Sequence, residues 1–233
     1  IDPSGRGKDE TAVCVLKSLN GNIYLRRNLG YREGYSDATL SNIVDIAKQE
    51  RVNLILIESN FGDGMFQALL QPYLAKHYPC TCEEFRSTTQ KEKRIIDTLE
   101  PVIEQHRLII DPQTVKDDLD TTQGLPPEDA LSYRLFYQMT RISRLKGSLR
   151  HDDRIDALAA GVGWFVEQMK QDQDKMEDKR KDKTFKEELD VFYSNGKRSC
   201  LTKNVIQGLI PATVISNLPL RKRRKIQRSW RQM

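Results

Sequence analysis

Residues 54–64 read LILIESNFGDG. Leu54, Ile55, Leu56 and Ile57 are consecutive aliphatics between Asn53 and Ser59. A short apolar run without polar alternation predicts a strand buried on both faces. Glu58 closes that run. A lone buried carboxylate is expensive, so Glu58 must emerge at the strand's tip or meet a partner. The glycine loop Asn60-Phe61-Gly62-Asp63-Gly64 then leads into a helix over 64–77. A buried strand followed by a helix is the crossover unit of a parallel sheet.

Upstream, TAVCVLKS (11–18) and NIYLRRNLGY (22–31) read as strands, joined through Asn20-Gly21, a hairpin signal. Residues 36–51 place Ala38, Leu40, Ile43, Val44, Ile46 and Ala47 at helical spacing behind a Ser36 cap. Downstream, CTCEEF (80–85) is a weaker strand, and 90–106 a helix with Ile95, Ile96, Leu99, Val102 and Ile103 on one side. Pro101 predicts a kink or a split in it. LIID (108–111) is a short strand or an extended turn. Pro126-Pro127 opens a helix over about 127–142, and the last clear helix covers about 151–170. The body is therefore α/β, with a hairpin-built antiparallel half and a crossover-built parallel half.

The chain has 233 residues, 38 Lys or Arg, 33 Asp or Glu, and a formal net charge of +5. No apolar run approaches the ~18 residues of a spanning helix, so no membrane segment is expected. Ile1-Asp2-Pro3 does not open a signal peptide. The first residue is not Met, so the chain is expected to continue upstream. Arg221, Lys222, Arg223, Arg224, Lys225, Arg228 and Arg231 crowd the last residues without an acid, and the remainder is slightly acidic. The body is thus not a generally basic nucleic-acid binder. Residues 171–190 alternate charges and read as a solvated helix or disordered linker; 191–233 form a tail with a basic end. In that end Ile226 and Trp230 stand at i, i+4. A solvated tail, phosphate contact and a protein-docking segment all remain open for it. His77, Cys80 and Cys82 lack a fourth ligand and make a poor zinc site.

Three sets of acids stand where phosphodiester chemistry needs them. Asp2 opens the glycine-rich stretch Pro3-Ser4-Gly5-Arg6-Gly7, and Glu58 ends the most buried strand. Asp152, Asp153 and Asp156 cluster at the start of the last helix. Asp153 and Asp156 are i, i+3 and share a face, while Asp152 points away. Each has a plainer reading: a turn for Asp2, a surface strand end for Glu58, a cap and helix-dipole partner for Asp152 and Asp153. Together, two strand ends and a helix start offering carboxylates suit hard divalent cations. Two such ions ~3.5–4 Å apart stabilise both the attacking and the leaving oxygen of a phosphodiester. Around them, Arg6, Lys8, Lys91, Lys93 and Arg94 are candidate phosphate contacts, the last three because positive charge at a helix start opposes its dipole. Asn60 and Gly62 lie in a loop whose glycines allow backbone to approach DNA closely. His151 is either a helix-start residue or an assistant to metal or proton transfer.

The succession DPSGRGKDETAV (2–13), LILIESNFGDGMF (54–66), QKEKRIIDTLEPVIEQHRLIID (90–111) and HDDRIDALA (151–159) resembles the nuclease domain of phage terminase large subunits. The likeness is greatest to those of short-tailed phages and covers roughly residues 1–168. It implies an RNase H-like fold over residues 1–170, with a central mixed five-stranded sheet flanked by helices. It implies a metal-dependent endonuclease that cuts concatemeric double-stranded viral DNA during packaging, using two Mg²⁺ or Mn²⁺ ions. Asp2 and Glu58 match the first two catalytic acids, and the aspartates after His151 supply the third: Asp153 is the choice among Asp152, Asp153 and Asp156, with Asp156 next and also a candidate metal ligand. The portal and the small terminase subunit are implied partners. The implied setting is the cytoplasm of the infected bacterium and, transiently, the procapsid. Terminases carry an ATPase motor as well, but no G-x-x-x-x-G-K-[ST] occurs here, and Gly7-Lys8 is followed by Asp9. Other RNase H-like nucleases (a junction resolvase or a hybrid nuclease) and a non-catalytic DNA clamp are the alternatives.

Overall fold

A computed structural model describes residues 1–4, 9–59, 64–87 and 89–196, the last five by backbone alone. Contacts divide the chain into a first unit, Ile1–Asp174, and a second that begins at Lys175. β1 (Thr11–Leu19) and β2 (Asn22–Tyr31) form an antiparallel hairpin. Asn20 and Gly21 close it with φ of 52° and 79°, the left-handed pair that a two-residue turn of this hand requires. The register slips by one residue between Val15 and Leu16. The slip decides which core each strand feeds. Ile23 and Leu25 enter one cluster and Leu29 the other, although all three are odd-numbered. Side chains alternate across a strand, so a one-residue bulge exchanges the faces.

β5 (Leu108–Ile110) adds in parallel to β2, making a mixed three-stranded sheet ordered β1-β2-β5. β3 (Leu54–Glu58) and β4 (Thr81–Phe85) pair in parallel as a second, two-stranded sheet. The five-stranded sheet expected from the sequence is thus described as three strands and two. Ile1 and Asp2 lie between them. Asp2 and Ala12 exchange both backbone hydrogen bonds, at 2.9 Å each. On the other side, the Ile1 nitrogen donates to the Leu56 carbonyl and the Glu58 N–H to the Ile1 carbonyl.

α1 (Asp37–Gln49) starts at Ser36, whose hydroxyl accepts from the Thr39 N–H. With α2 (Met65–His77) it packs Leu40, Ile43, Val44, Leu70 and Leu74 against Val13, Val15 and Ile57. α3 (Lys91–Glu104) and the start of α7 (Asp153–Gly196) supply Ile95, Leu99, Ile155, Leu158 and Val162 to the other core. α3 runs through Pro101 without splitting; the proline lies in its last turn.

Two elements depart from the sequence reading. α4 (Pro112–Asp120) is a helix where none was expected, capped by Asp111, which accepts from the Gln113 N–H. The helix expected over 127–142 is two, α5 (Pro127–Tyr133) and α6 (Leu135–Arg141), broken at Arg134 with ψ 133°. The break is stabilised from outside. The buried Asp118 carboxylate accepts from the N–H groups of Leu135 and Phe136, and the Gln138 amide donates to the Ser132 and Tyr133 carbonyls. Residues 171–190 are helical within α7 and exposed, apart from the half-buried Phe185 and Leu189. The i, i+4 pair Lys181–Glu177 at 2.7 Å braces that stretch. Among the described residues, no helix is long and apolar enough to cross a membrane.

Candidate metal centre

Asp2, Glu58 and Asp156 reach one point from three elements. Asp2 is held by its two bonds to Ala12 on β1; Glu58 is the last residue of β3; Asp156 lies in the first turn of α7. One carboxylate oxygen from each lies within 4.8 Å of the others. Glu58 is 4% exposed and Asp156 1%. Three acids in so little water repel one another unless cations balance them.

α3 provides two cations. Arg94 donates to Asp156 at 2.6 Å and stands 3.8 Å from Glu58. Lys91 lies 2.9 Å from Asp152, 3.1 Å from Asp156 and 4.0 Å from Asp2. Two of the basic residues expected to meet phosphate, Lys91 and Arg94, are therefore placed against the carboxylates themselves. Burial pushes the Asp2 carboxyl well above its ordinary range, against the pull of Lys91, with Asp156, Asp153 and Glu58 adding to the rise. Burial raises Asp156 too, opposed by Lys91 and Arg94. For Lys91, burial works the other way, but Asp156, Asp2 and Asp152 overcome it and hold the ammonium above its usual value.

Asp153 is not in this trio. Its oxygen groups with Asp9 and a ring nitrogen of His151, again within 4.8 Å. Three helical steps leave ~60° between side chains, enough for Asp153 and Asp156 to diverge. Burial pushes the Asp153 carboxyl up to about 7. Asp152 turns to Lys91 and joins neither group. His151 is buried, stacks on the Tyr133 ring at 3.8 Å, and is pushed below its ordinary pKa by burial and by Arg150. Arg6, Lys8, Asn60 and Gly62 lie outside the described residues, as does the basic tail.

Sequence reading missed the group that holds the centre together. Arg154 is fully buried, and its guanidinium donates to both Glu10 oxygens and to Asp118 at 3.0 Å. This network ties the start of β1, α4 and the break before α6 to the α7 residue between Asp153 and Asp156. Gly30 makes room for it: a Cβ there would lie 1.9 Å from a Glu10 oxygen. The available signal was a basic residue inside the otherwise acidic and apolar HDDRIDALA.

The family model of the bacteriophage T7 terminase ribonuclease H-like domain matches residues 1–108, which include Asp2 and Glu58. Over those residues the chain matches a phage terminase nuclease domain. It is 46% identical to the terminase large subunit of Enterobacteria phage T3 over 177 residues, which are 76% of this chain. The chain spans 30% of that relative's length. The match to T3 terminase reaches well beyond the 108 residues of the family model.

The raised carboxyl groups of this centre set a pH dependence. A carboxyl with a raised folded pKa stabilises the metal-free protein at low pH. That contribution is present below the unfolded value and is lost as pH rises through the folded one. For Asp153 the window runs from 3.8 to about 7. A divalent cation held by these groups would have to displace the same protons, so Mn²⁺ affinity should fall between about pH 8 and about pH 6. Titration calorimetry should show proton release that grows across this range. Equal affinity at both ends would contradict the shifts.

Proposed function

We propose that this domain is a metal-dependent endodeoxyribonuclease that cuts concatemeric double-stranded viral DNA during packaging by two-ion phosphodiester hydrolysis. The convergence of Asp2, Glu58 and Asp156 within 4.8 Å carries the reading. Their oxygens are the hard donors that Mg²⁺ and Mn²⁺ prefer. These three acids would hold one ion, and Asp153, at the same end of α7, bears on the second. When bound, the ions supply Lewis-acid activation of water and charge neutralisation at the phosphodiester.

The chain's own residues do the rest. Asp2 and Glu58 project from adjacent strand ends, and their backbone hydrogen bonds to Ala12 and Ile1 hold them in register. Ile1 and Asp2, bonded to both sheets, act as the strand that makes them one mixed sheet. Lys91 and Arg94 balance the acids before metal enters, and thereafter face the incoming phosphate. Binding through phosphates makes affinity fall with salt. The portal, the small terminase subunit and an ATPase motor are the partners proposed for the longer protein. Its setting is the infected bacterial cytoplasm and the procapsid.

Saturating Mg²⁺ or Mn²⁺ should raise the melting temperature by linkage, by ~2.7 kcal/mol in stability at a hundredfold excess over Kd. The shift should shrink in Asp2→Asn. Equal shifts in both proteins would place the ions elsewhere. Supercoiled plasmid, a four-way junction and an RNA–DNA hybrid separate the packaging reading from other RNase H-like nucleases. Plasmid should be cut at least as well as either of the others.

A further inference from the structure

The carboxylates near the start of α7 are nearly all matched with cations. Glu10 and Asp118 share Arg154; Asp152 and Asp156 take Lys91; Asp156 also takes Arg94; Asp129 takes Arg150. Asp9 and Asp153 are the exceptions: among the described residues, neither is in an ion pair. Both stand beside His151, close enough to share a ligand, yet no hydrogen bond or ion pair joins the three. Asp153 Oδ2 is buried with no hydrogen-bond partner. So is His151 Nδ1, on a side chain only 7% exposed. A buried imidazole nitrogen without a partner forfeits its hydrogen bond to water with nothing in return. Stacking on Tyr133 fixes the ring without satisfying it.

We propose that Asp9, His151 and Asp153 form a second cation site that takes a divalent transition ion, Mn²⁺ in preference to Mg²⁺, through one imidazole nitrogen and two carboxylates. One ion in their midst meets three needs at once. It takes a ring nitrogen of the half-satisfied His151, gives the two carboxylates a counter-charge, and bridges donors about the right distance apart for ligands ~2 Å from a metal. The donor set gives the selectivity. All-oxygen sites suit Mg²⁺, whereas imidazole favours transition ions. Selectivity should therefore differ between the two groups: the Asp2–Glu58–Asp156 site accepts Mg²⁺ or Mn²⁺, and the histidine site discriminates. The inference rests on the proposed nuclease reading only in taking Asp153 as a metal ligand. It adds Asp9 and His151, and the identity of the ion.

Pulsed EPR of Mn²⁺ added to the whole 233-residue chain tests it without reference to cleavage. Imidazole bound to Mn²⁺ produces nitrogen-14 modulation; carboxylates and water do not. The wild-type protein should show that modulation, and excess Mg²⁺ should leave it in place. His151→Gln should abolish it, Asp9→Asn should weaken it, and Glu58→Gln should keep it. Asp9 is exposed, so Asp9→Asn serves if His151→Gln fails to fold. Absence of modulation at saturating Mn²⁺ would overturn the site. So would modulation that survives in His151→Gln, which would assign it to His77 or His106. The nuclease reading fails separately, if Glu58→Gln still cuts DNA.

Discussion

Glu58→Gln should lower metal-dependent plasmid cleavage by on the order of 10³-fold, because a lost metal contact removes several kcal/mol of transition-state stabilisation. The change keeps shape and removes charge. The neutral amide is a weak ligand for a hard cation, yet it fits the same buried strand end. The metal-free fold should survive, and its melting temperature should hold or rise, since one of three repelling acids is gone. Asp2→Asn and Asp156→Asn should behave alike, because all three oxygens meet at one point. Asp153→Asn is expected to impair cleavage through the second ion position. Asp152→Asn should be milder, since Asp152 is engaged by Lys91 outside both groups. Cleavage by Glu58→Gln at the wild-type rate would remove the basis of the metal assignment.

Arg154→Met should destabilise the protein by about 3–5 kcal/mol, the usual cost of breaking a buried ion pair from one side. Glu10 and Asp118 would then remain buried without their cation. Chemical denaturation measures the loss directly. Gly30→Ala tests the same network from across the hairpin, because its methyl would drive into the Glu10 carboxylate. Both changes should also reduce cleavage, since Arg154 sits between Asp153 and Asp156 and fixes the start of α7. A fully stable Arg154→Met protein would show that the network is dispensable.

The elements that carry the centre are written locally. The LILIE run, the Asn20-Gly21 turn and the Ser36 cap each depend on residues within a few positions, and each forms where the periodicity puts it. The departures come from distant contacts. The break at Arg134 depends on Asp118, on a separate helix, and the exchange of faces along β2 depends on a bulge that no local pattern announces. In the centre, the strand-end position of Glu58 and the acids of HDDRID could be read from the chain. What could not be read is how Asp153 and Asp156 divide between two groups. Spacing places both on one face, but the division follows from side-chain directions at the helix start and from neighbours such as Asp9, more than 140 residues earlier in the sequence. Lys91 and Arg94 were legible as cations at an unfavourable helix end. Their partners, the carboxylates, were visible only in three dimensions.

The most direct measurement is anomalous diffraction from crystals soaked in Mn²⁺. A peak is expected among the carboxylate oxygens of Asp2, Glu58 and Asp156, with Lys91 displaced from its pairing with Asp156. Well-ordered density for these three side chains without a Mn²⁺ peak among them would contradict it.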